Sequence, residues 1–375
     1  MKEALFSTID ARREDLTGLA DFIFDHPETG GQGTACSAAV AEYLTKNGFA
    51  VEQGLGDLPT ALRATYQSLE GGPAIGLLCE YDATGCHSCG RHLQASAMVG
   101  AAVALKERLG GKLPFKLVVY GTPDGEHTGK IRMLEAGCFR ELDVALHMRG
   151  GSMTAALGNT PAAVTYTLTY HGLPAHSAVA PDQGRSAFDA MQMAFHGLEF
   201  LKGHLEQGEK IRYGLVDYGG QPVNVIPRFA QGQVTLQAAD EGKLQQLCGR
   251  LEAIVEASNL MAQTSCEVQK GDVIASGKPV DALLALFCDN AKLAGAENAT
   301  AADKETACDF ANLQTSVLGL EFQVAFAPAG TGPYSKAWLD CGKSQQAQQA
   351  LCDGAKIAAA MVWDLIHTPD LLKNI

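Results

Sequence analysis

Between about residue 162 and residue 273 the apolar periodicity changes in an order that few folds accommodate. "AVTYTLTYHG" alternates as a strand does, and "SAFDAMQMAFHGLEFLKGHL" repeats with helical spacing. Strand patterns "KIRYGLVDYGG" and "AQGQVTLQAAD" follow, then the helical "KLQQLCGRLEAIVEASNLMA" and the strand "SCEVQKG". The order β-α-β-β-α-β predicts a split βαβ, ferredoxin-like unit.

The flanks are of a different kind. From residue 1 to about 160, helical patterns such as "ARREDLTGLADFIFDH" alternate with short apolar runs, "AIGLLCEYD", "FKLVVYGTP" and "VALHM". That alternation predicts an α/β domain whose strands are largely buried. After the insert come a helix from about Val280 to Leu293, a strand "FQVAFAPA" and a final helix from about Ser344 to His367. The expected organisation is therefore a discontinuous α/β domain, residues 1–160 and 274–375, interrupted by a small domain at 161–273.

Charge and cysteine usage exclude several function classes. With 42 acidic against 29 basic residues the formal charge is −13, and no Lys/Arg cluster offers phosphates a basic face. A small molecule is the expected ligand, not a nucleic acid. No apolar run reaches the length of a membrane span, and "MKEALFSTIDARREDL" is amphipathic, not an apolar leader. Eleven cysteines scattered over 375 residues fit reduced thiols and a cytoplasmic location.

Chemistry concentrates in "CEYDATGCHSCGRH", Cys79 to His92, which holds three cysteines, two histidines and two carboxylates. Asp82 follows an apolar strand, at the end where open α/β sheets keep ligands. Cys89 precedes the helical "LQASAMVGAAVALKERL", a place that favours the thiolate. "VVYGTPDGEHTGK" and "VALHMRGG" extend the pattern with Asp124, Glu126, His127 and His147, so three strand ends are expected to converge Cys, carboxylate and His, ligand types that zinc accepts. The "CHSC" of Cys86 and Cys89 has no second pair to complete a structural zinc site. His26, His196 and His204 lie in helical contexts, and His171 reads as a strand-end residue.

Taken in order, these segments resemble the co-catalytic zinc amidohydrolases and exopeptidases that include bacterial aminoacylases, auxin-conjugate hydrolases and aminobenzoyl-glutamate hydrolases. The likeness runs through "DHPETGGQGTACSAAVAEYLTKNGFAV", "GTPDGEHTGKIRMLEAG", "HGLPAHSAVAPDQGRSAFDA", "VNVIP" and "TACDFANLQT". It implies a mixed-sheet catalytic domain, an insert serving as lid and dimerisation surface, and a small amide or dipeptide-like substrate. A ferredoxin-like sheet with an edge strand to cover also fits a homodimer.

The resemblance further implies two metals, held by a Cys-Gly-His motif, a Glu-Glu pair, a His after the next strand and a His near the C-terminus. Cys89 and His147 match. The motif's imidazole is Arg91, which has no lone pair, and His92 falls one residue late. The Glu-Glu pair reads Gly125-Glu126, so either Glu126 is the ligand or a gap after Pro123 makes Asp124 the base. Gly332 stands where the last His is expected. The expectation is zero or one zinc per chain, held by Cys89, Glu126 and His147 with Asp82, His87 or His92 as helpers. In the insert, His176 matches the lid residue that steadies an oxyanion in a neighbouring subunit, and Asn224 the substrate-carboxylate contact. An expected arginine is replaced at Gln237 or Ala238, leaving Arg91 or Arg228 to recognise a carboxylate. Metal-free catalysis by a Cys89 thiolate and a non-hydrolytic binding protein are the alternatives.

Overall fold

The computed structural model describes residues 2–29, 33–87, 89–123, 128–220 and 222–373. It divides into two compact units, Met1–Asn159 with Gly277–Lys304 and Asp309–Ile375, and Thr160–Ser276 with Glu305–Cys308.

The first unit is built on a mixed sheet. Among the described residues its strands are β1 (Ala50–Leu55), β2 (Leu58–Gln67), β3 (Ala74–Cys79), β4 (Lys116–Gly121), β5 (Val144–Gly151), β6 (Ala155–Leu157), β11 (Thr300–Ala302) and β12 (Leu318–Ala325). They lie in the order β1-β2-β4-β3-β5-β12-β6-β11. The inner strands β4, β3, β5 and β12 run parallel, while β1 and β2 form an antiparallel hairpin at one edge. Apolar alternation does not announce that hairpin, because β1 alternates poorly and is mostly exposed.

Helices α1 (Lys2–Ala11), α2 (Arg13–Asp25) and α3 (Thr34–Lys46) precede the sheet, and α4 (Arg91–Leu109) provides the crossover between β3 and β4. α4 is buried nearly all round because alanine and glycine let its neighbours approach. Leu16 of α2 packs against Gly100, where a Cβ would meet it at 2.7 Å. After α5 (Gly129–Glu135) and the insert come α8 (Asp281–Leu293), α9 (Phe310–Gln314), α10 (Lys336–Asp340) and α11 (Gln345–His367), the last capped by Ser344.

The second unit carries β7 (Ala162–His171), α6 (Ala187–Lys202), β8 (Lys210–Asp217), β9 (Phe229–Ala238), α7 (Glu241–Ala262) and β10 (Ser265–Lys270), the expected β-α-β-β-α-β order. The sheet is antiparallel, β10-β7-β9-β8. Strict alternation turns Tyr166, Leu168 and Tyr170 of β7 and Val234 and Leu236 of β9 into a core shared with α6 and α7. Tyr170 keeps its hydroxyl satisfied inside that core by bonding Ser258 Oγ at 2.9 Å.

Two strand expectations need correction. His147 is not at a strand end but is the fourth residue of β5, because β12 pairs with β5 along its whole length, from Leu318 with Val144 to Ala325 with Gly151. β12 itself begins four residues before "FQVAFAPA", which brings Glu321 into the strand directly beside His147.

Candidate active site

Chain reversal at the end of β3 starts the site. Glu80 and Asp82 follow β3 directly and are each 1% exposed, so both carboxylates need partners. Arg91, first residue of α4, supplies one: its Nε lies 2.9 Å from Glu80 Oε2, and its Nη1 donates to the Asp82 carbonyl at 3.1 Å and sits 3.6 Å from Asp82 Oδ1. The preceding turn depends on glycine. Gly90 has φ +68°, and a Cβ there would meet Gly150 Cα at 2.9 Å.

Lys130 is the second cation. Its fully buried ammonium donates to Glu80 Oε1 and, at 2.8 Å, to Asp309 Oδ1, while its backbone N–H donates to Asp309 Oδ2 at 2.9 Å. Residues of α5 and of the turn into α9 are thereby fastened to the end of β3.

His147 links this cluster to another. Its Nε2 is 3.1 Å from Glu80 Oε1, its Nδ1 is 3.3 Å from Glu321 Oε1, and its ring stacks on Phe310. Glu321 in turn accepts from Lys304 with both oxygens, at 2.9 and 2.7 Å, and lies 3.4 Å from Arg149 Nε. Burial alone would push both carboxyls up. Lys130, Arg91 and His147 instead hold Glu80 well below the usual carboxylate range, and Lys304, His147 and Arg149 do the same for Glu321. A continuous polar run thus extends from Lys304 through Glu321, His147 and Glu80 to Arg91 and Lys130.

Among the described residues, two of the donors expected for a pair of metal ions are replaced: the expected imidazole is a guanidinium turned into two carboxylates, and Gly332 has open space where a side chain would begin. Cys89 is half-buried in the turn before α4. Asp124, Glu126 and His127 lie outside the described residues, so the set Cys89, Glu126 and His147 is described only at its first and last members.

The two histidines considered as helpers, His87 and His92, pack together beside Phe24. His92 Nε2 donates to the Gly342 carbonyl at 2.8 Å, and its ring packs 4.8 Å from Phe24 and 5.8 Å from His87. Burial pushes the His87 imidazole down to about 4 and the His92 imidazole down to about 3, so both are neutral at pH 7. Asp82 is in the charged cluster, as a partner of Arg91.

In the second unit the structure brings His176 and Asn224 together. Backbone bonds from Gly172 N–H to Arg228 O (2.8 Å), Ile226 N–H to Ala175 O (2.9 Å) and Ser177 N–H to Asn224 O (2.9 Å) tie 172–177 to 224–228 as a ribbon. At its far end Asn224 Nδ2 sits 3.4 Å from His176 Nε2, and His176 Nδ1 accepts from the Ala178 N–H at 3.3 Å. Both side chains are exposed. Gln237, at the lost arginine position, is buried and donates to the Glu305 carbonyl at 3.1 Å. With Arg91 engaged in the charged cluster, Arg228 is the exposed one of the two candidate carboxylate binders.

Sequence reasoning missed Glu80, Lys130, Lys304, Asp309 and Glu321. The clearest available signal was Glu321, a carboxylate amid apolar neighbours in "LGLEFQVA", since such a residue is buried only with a partner.

Comparison with known proteins agrees with this architecture. Residues 160–260 match the family model described as "Peptidase dimerisation domain". The chain is 31% identical over 285 residues to one of the p-aminobenzoyl-glutamate hydrolase polypeptides of Escherichia coli K12, an alignment covering 69% of this chain and 58% of that relative's length. It is 28% identical over 401 residues to the Xaa-Arg dipeptidase of Mus musculus, covering all of this chain and 91% of the relative. Among solved structures, a dinuclear metal-binding peptidase of Bacillus subtilis superposes with a TM-score of 0.68 at 16% identity, over 96% of this chain and 99% of that one. No helix among the described residues is long and apolar enough to cross a membrane.

Proposed function

We propose, from the premise that this chain belongs to the co-catalytic zinc amidohydrolase and exopeptidase family, that it hydrolyses the amide bond of a small N-acyl or aminoacyl substrate bearing a carboxylate. The observation that carries the reading is the pairing of His176 with Asn224, two exposed hydrogen-bonding side chains presented on one backbone ribbon. An imidazole N–H suits a developing oxyanion, and an amide NH₂ suits the substrate carboxylate.

Roles in the buried cluster follow from its electrostatics. Glu80, held well below the usual range, is a weak proton acceptor at neutral pH, so it serves to orient Arg91, Lys130 and His147. The general base is assigned to Asp124 or Glu126. Arg91 replaces part of a metal's positive charge, and the reading allows at most one zinc per chain, on Cys89, Glu126 and His147. A homodimer, with His176 of each protomer serving the other, is supported by the dimerisation-domain match. A cytoplasmic location is supported by eleven cysteines that are all thiols.

The test is amine release from N-acetyl amino acids, Xaa-Arg dipeptides and p-aminobenzoyl-glutamate by the purified full chain, the last two being compounds in the relatives' names. Turnover of one class, with kcat/KM reduced about 100-fold in His176→Ala, is the expected result. No release from any, by protein of native fold, overturns the reading in favour of a binding protein. The second reading, a Cys89 nucleophile, has the support of that residue's place in the turn before the 19-residue helix α4. Activity that survives exhaustive chelation and disappears in Cys89→Ser would select it.

A further inference from the structure

After Lys304 the chain leaves the first unit, and it returns at Asp309; the four residues between, Glu305–Cys308, belong to the second unit. Both ends of this segment are held by buried ion pairs. The Lys304 ammonium donates to both oxygens of Glu321, whose Oε1 lies 3.3 Å from His147 Nδ1, and Asp309 Oδ1 accepts from Lys130. Backbone bonds fix the start a second time. Lys304 N–H donates to the Asn159 carbonyl at 2.9 Å, while Asn159 donates from its own N–H and from Nδ2 to Asp303 Oδ1, each at 3.0 Å. Asn159 is the residue after which the chain first enters the second unit.

The middle of the segment is held by side chains of the second unit's sheet. Gln237 of β9 and Lys210 of β8 are cross-strand partners. Val234, Leu236 and Ala238 turn into the core with α6 and α7, so Gln237 turns to the opposite face. There Gln237 Nε2 donates to the Glu305 carbonyl at 3.1 Å, and Lys210 Nζ donates to the same oxygen at 3.3 Å. Gln237 is 4% exposed, so its amide relies on protein partners. The Glu305 carboxylate is itself 88% exposed, which makes the main chain the anchor.

Six residues with planar peptides and fixed bond lengths leave little slack. A shift at the Glu305 carbonyl reaches Lys304 across one residue, and Lys304 shares Glu321 with His147. We infer that residues 304–309 are a strap by which the second unit sets the Lys304–Glu321 pair against His147, with Gln237 as the positioning residue at its anchor. The position at which the resemblance expects an arginine is thereby given to holding the chain. This role needs no hydrolysis, so it stands or falls apart from the proposed activity.

The experiment is NMR of the full chain labelled with nitrogen-15 in its histidine rings, the His147 signals being assigned through the stacked ring of Phe310. Glu321→Gln should move these signals, which calibrates them as reporters of the Lys304–Glu321 pair. Gln237→Ala should move them the same way by more than their line width, and Gln237→Asn, which keeps a shorter amide, by less. Lys210→Met, which removes an exposed contact, should give a smaller shift in that direction. Thr235→Ala, on the same face of β9, should leave them in place. Amide exchange across 304–309, read by mass spectrometry, should be at least tenfold faster in Gln237→Ala. Unmoved His147 signals in Gln237→Ala overturn the inference, as do unmoved signals in Glu321→Gln. So does a shift in Thr235→Ala as large as that in Gln237→Ala, which would be a general loosening of β9. If Gln237→Ala fails to fold, Gln237→Asn and Lys210→Met decide the matter, and unmoved signals in both overturn it.

Discussion

The charged cluster around Glu80 and the ribbon carrying His176 use similar side chains in opposite surroundings. In the first, Glu80, Lys130 and His147 are at most 1% exposed, and the Glu80 carboxylate and Lys130 ammonium face each other while His147 Nε2 lies 3.1 Å from the same carboxylate. In the second, His176, Asn224, His171 and Arg228 all face solvent, held in place by the backbone beneath them. A buried ion that loses its partner keeps its desolvation penalty, whereas an exposed one regains water. The first region therefore couples any change in chemistry to folding, and the second separates them.

The largest effect expected from breaking this contrast is at Lys130. Lys130→Met removes the cation shared by Glu80 and Asp309 and should cost about 3–5 kcal/mol of unfolding free energy, read from urea denaturation followed by tryptophan fluorescence. A loss below about 1 kcal/mol would mean the cluster behaves as a surface does. Arg91→His should cost somewhat less, about 2–4 kcal/mol, since the new imidazole retains one possible donor. Zinc per chain should rise only in the double variant with Gly332→His, and metal analysis of all four proteins checks this. Two zincs in the unmodified chain would reverse the assignment of Arg91.

Acid sharpens the comparison from another side. His87 and His92 have depressed folded values, about 4 and about 3, against the ordinary histidine value of 6.5. Below pH 6.5 the unfolded chain binds protons that the folded chain refuses, so stability falls as pH falls until each folded value is reached. Near pH 5 each group should have cost about 2 kcal/mol. Glu80 and Glu321, also held low, add to the loss at more acid pH. Replacing His92 by Leu should flatten the slope of stability against pH between 6.5 and 5 by about one proton, and an unchanged slope would count against its neutral, buried state.

The smallest effect on folding is expected on the ribbon. His176→Ala and Asn224→Ala should shift stability by less than about 0.5 kcal/mol while lowering kcat/KM by about two orders of magnitude. A large loss of stability in either would show that the exposed pair is structural.

What the sequence made legible follows the same division. The insert was readable because its strands are buried on one face only, so Tyr166, Leu168 and Tyr170 alternate with threonines and leave a period of two. His176 and Asn224, singled out in the sequence, lie 3.4 Å apart because the short-range backbone bonds of their own segments bring them together. Lys130, Asp309 and Glu321 were not, because their partners lie 50, 179 and 17 residues away and no local pattern announces a charge pair across strands. His147 was identified but misplaced, since "VALHM" gives no sign that β12 continues to pair with the chain beyond it.

The contact of Gly90 with Gly150 bears on how substitution tolerance in this chain is to be interpreted. Their Cα atoms meet where the turn before α4 passes β5, and a methyl group on either would collide with the other or with Phe326. A saturation library would score both positions as intolerant as any site residue. Neither glycine has a side chain to take part in chemistry, so that signal would report clearance between two backbones. Gly332 would look permissive in the same map, with nothing within 4 Å of an added carbon, although it is the position at which one substitution could supply a missing metal ligand. Tolerance and functional weight run in opposite directions at these positions.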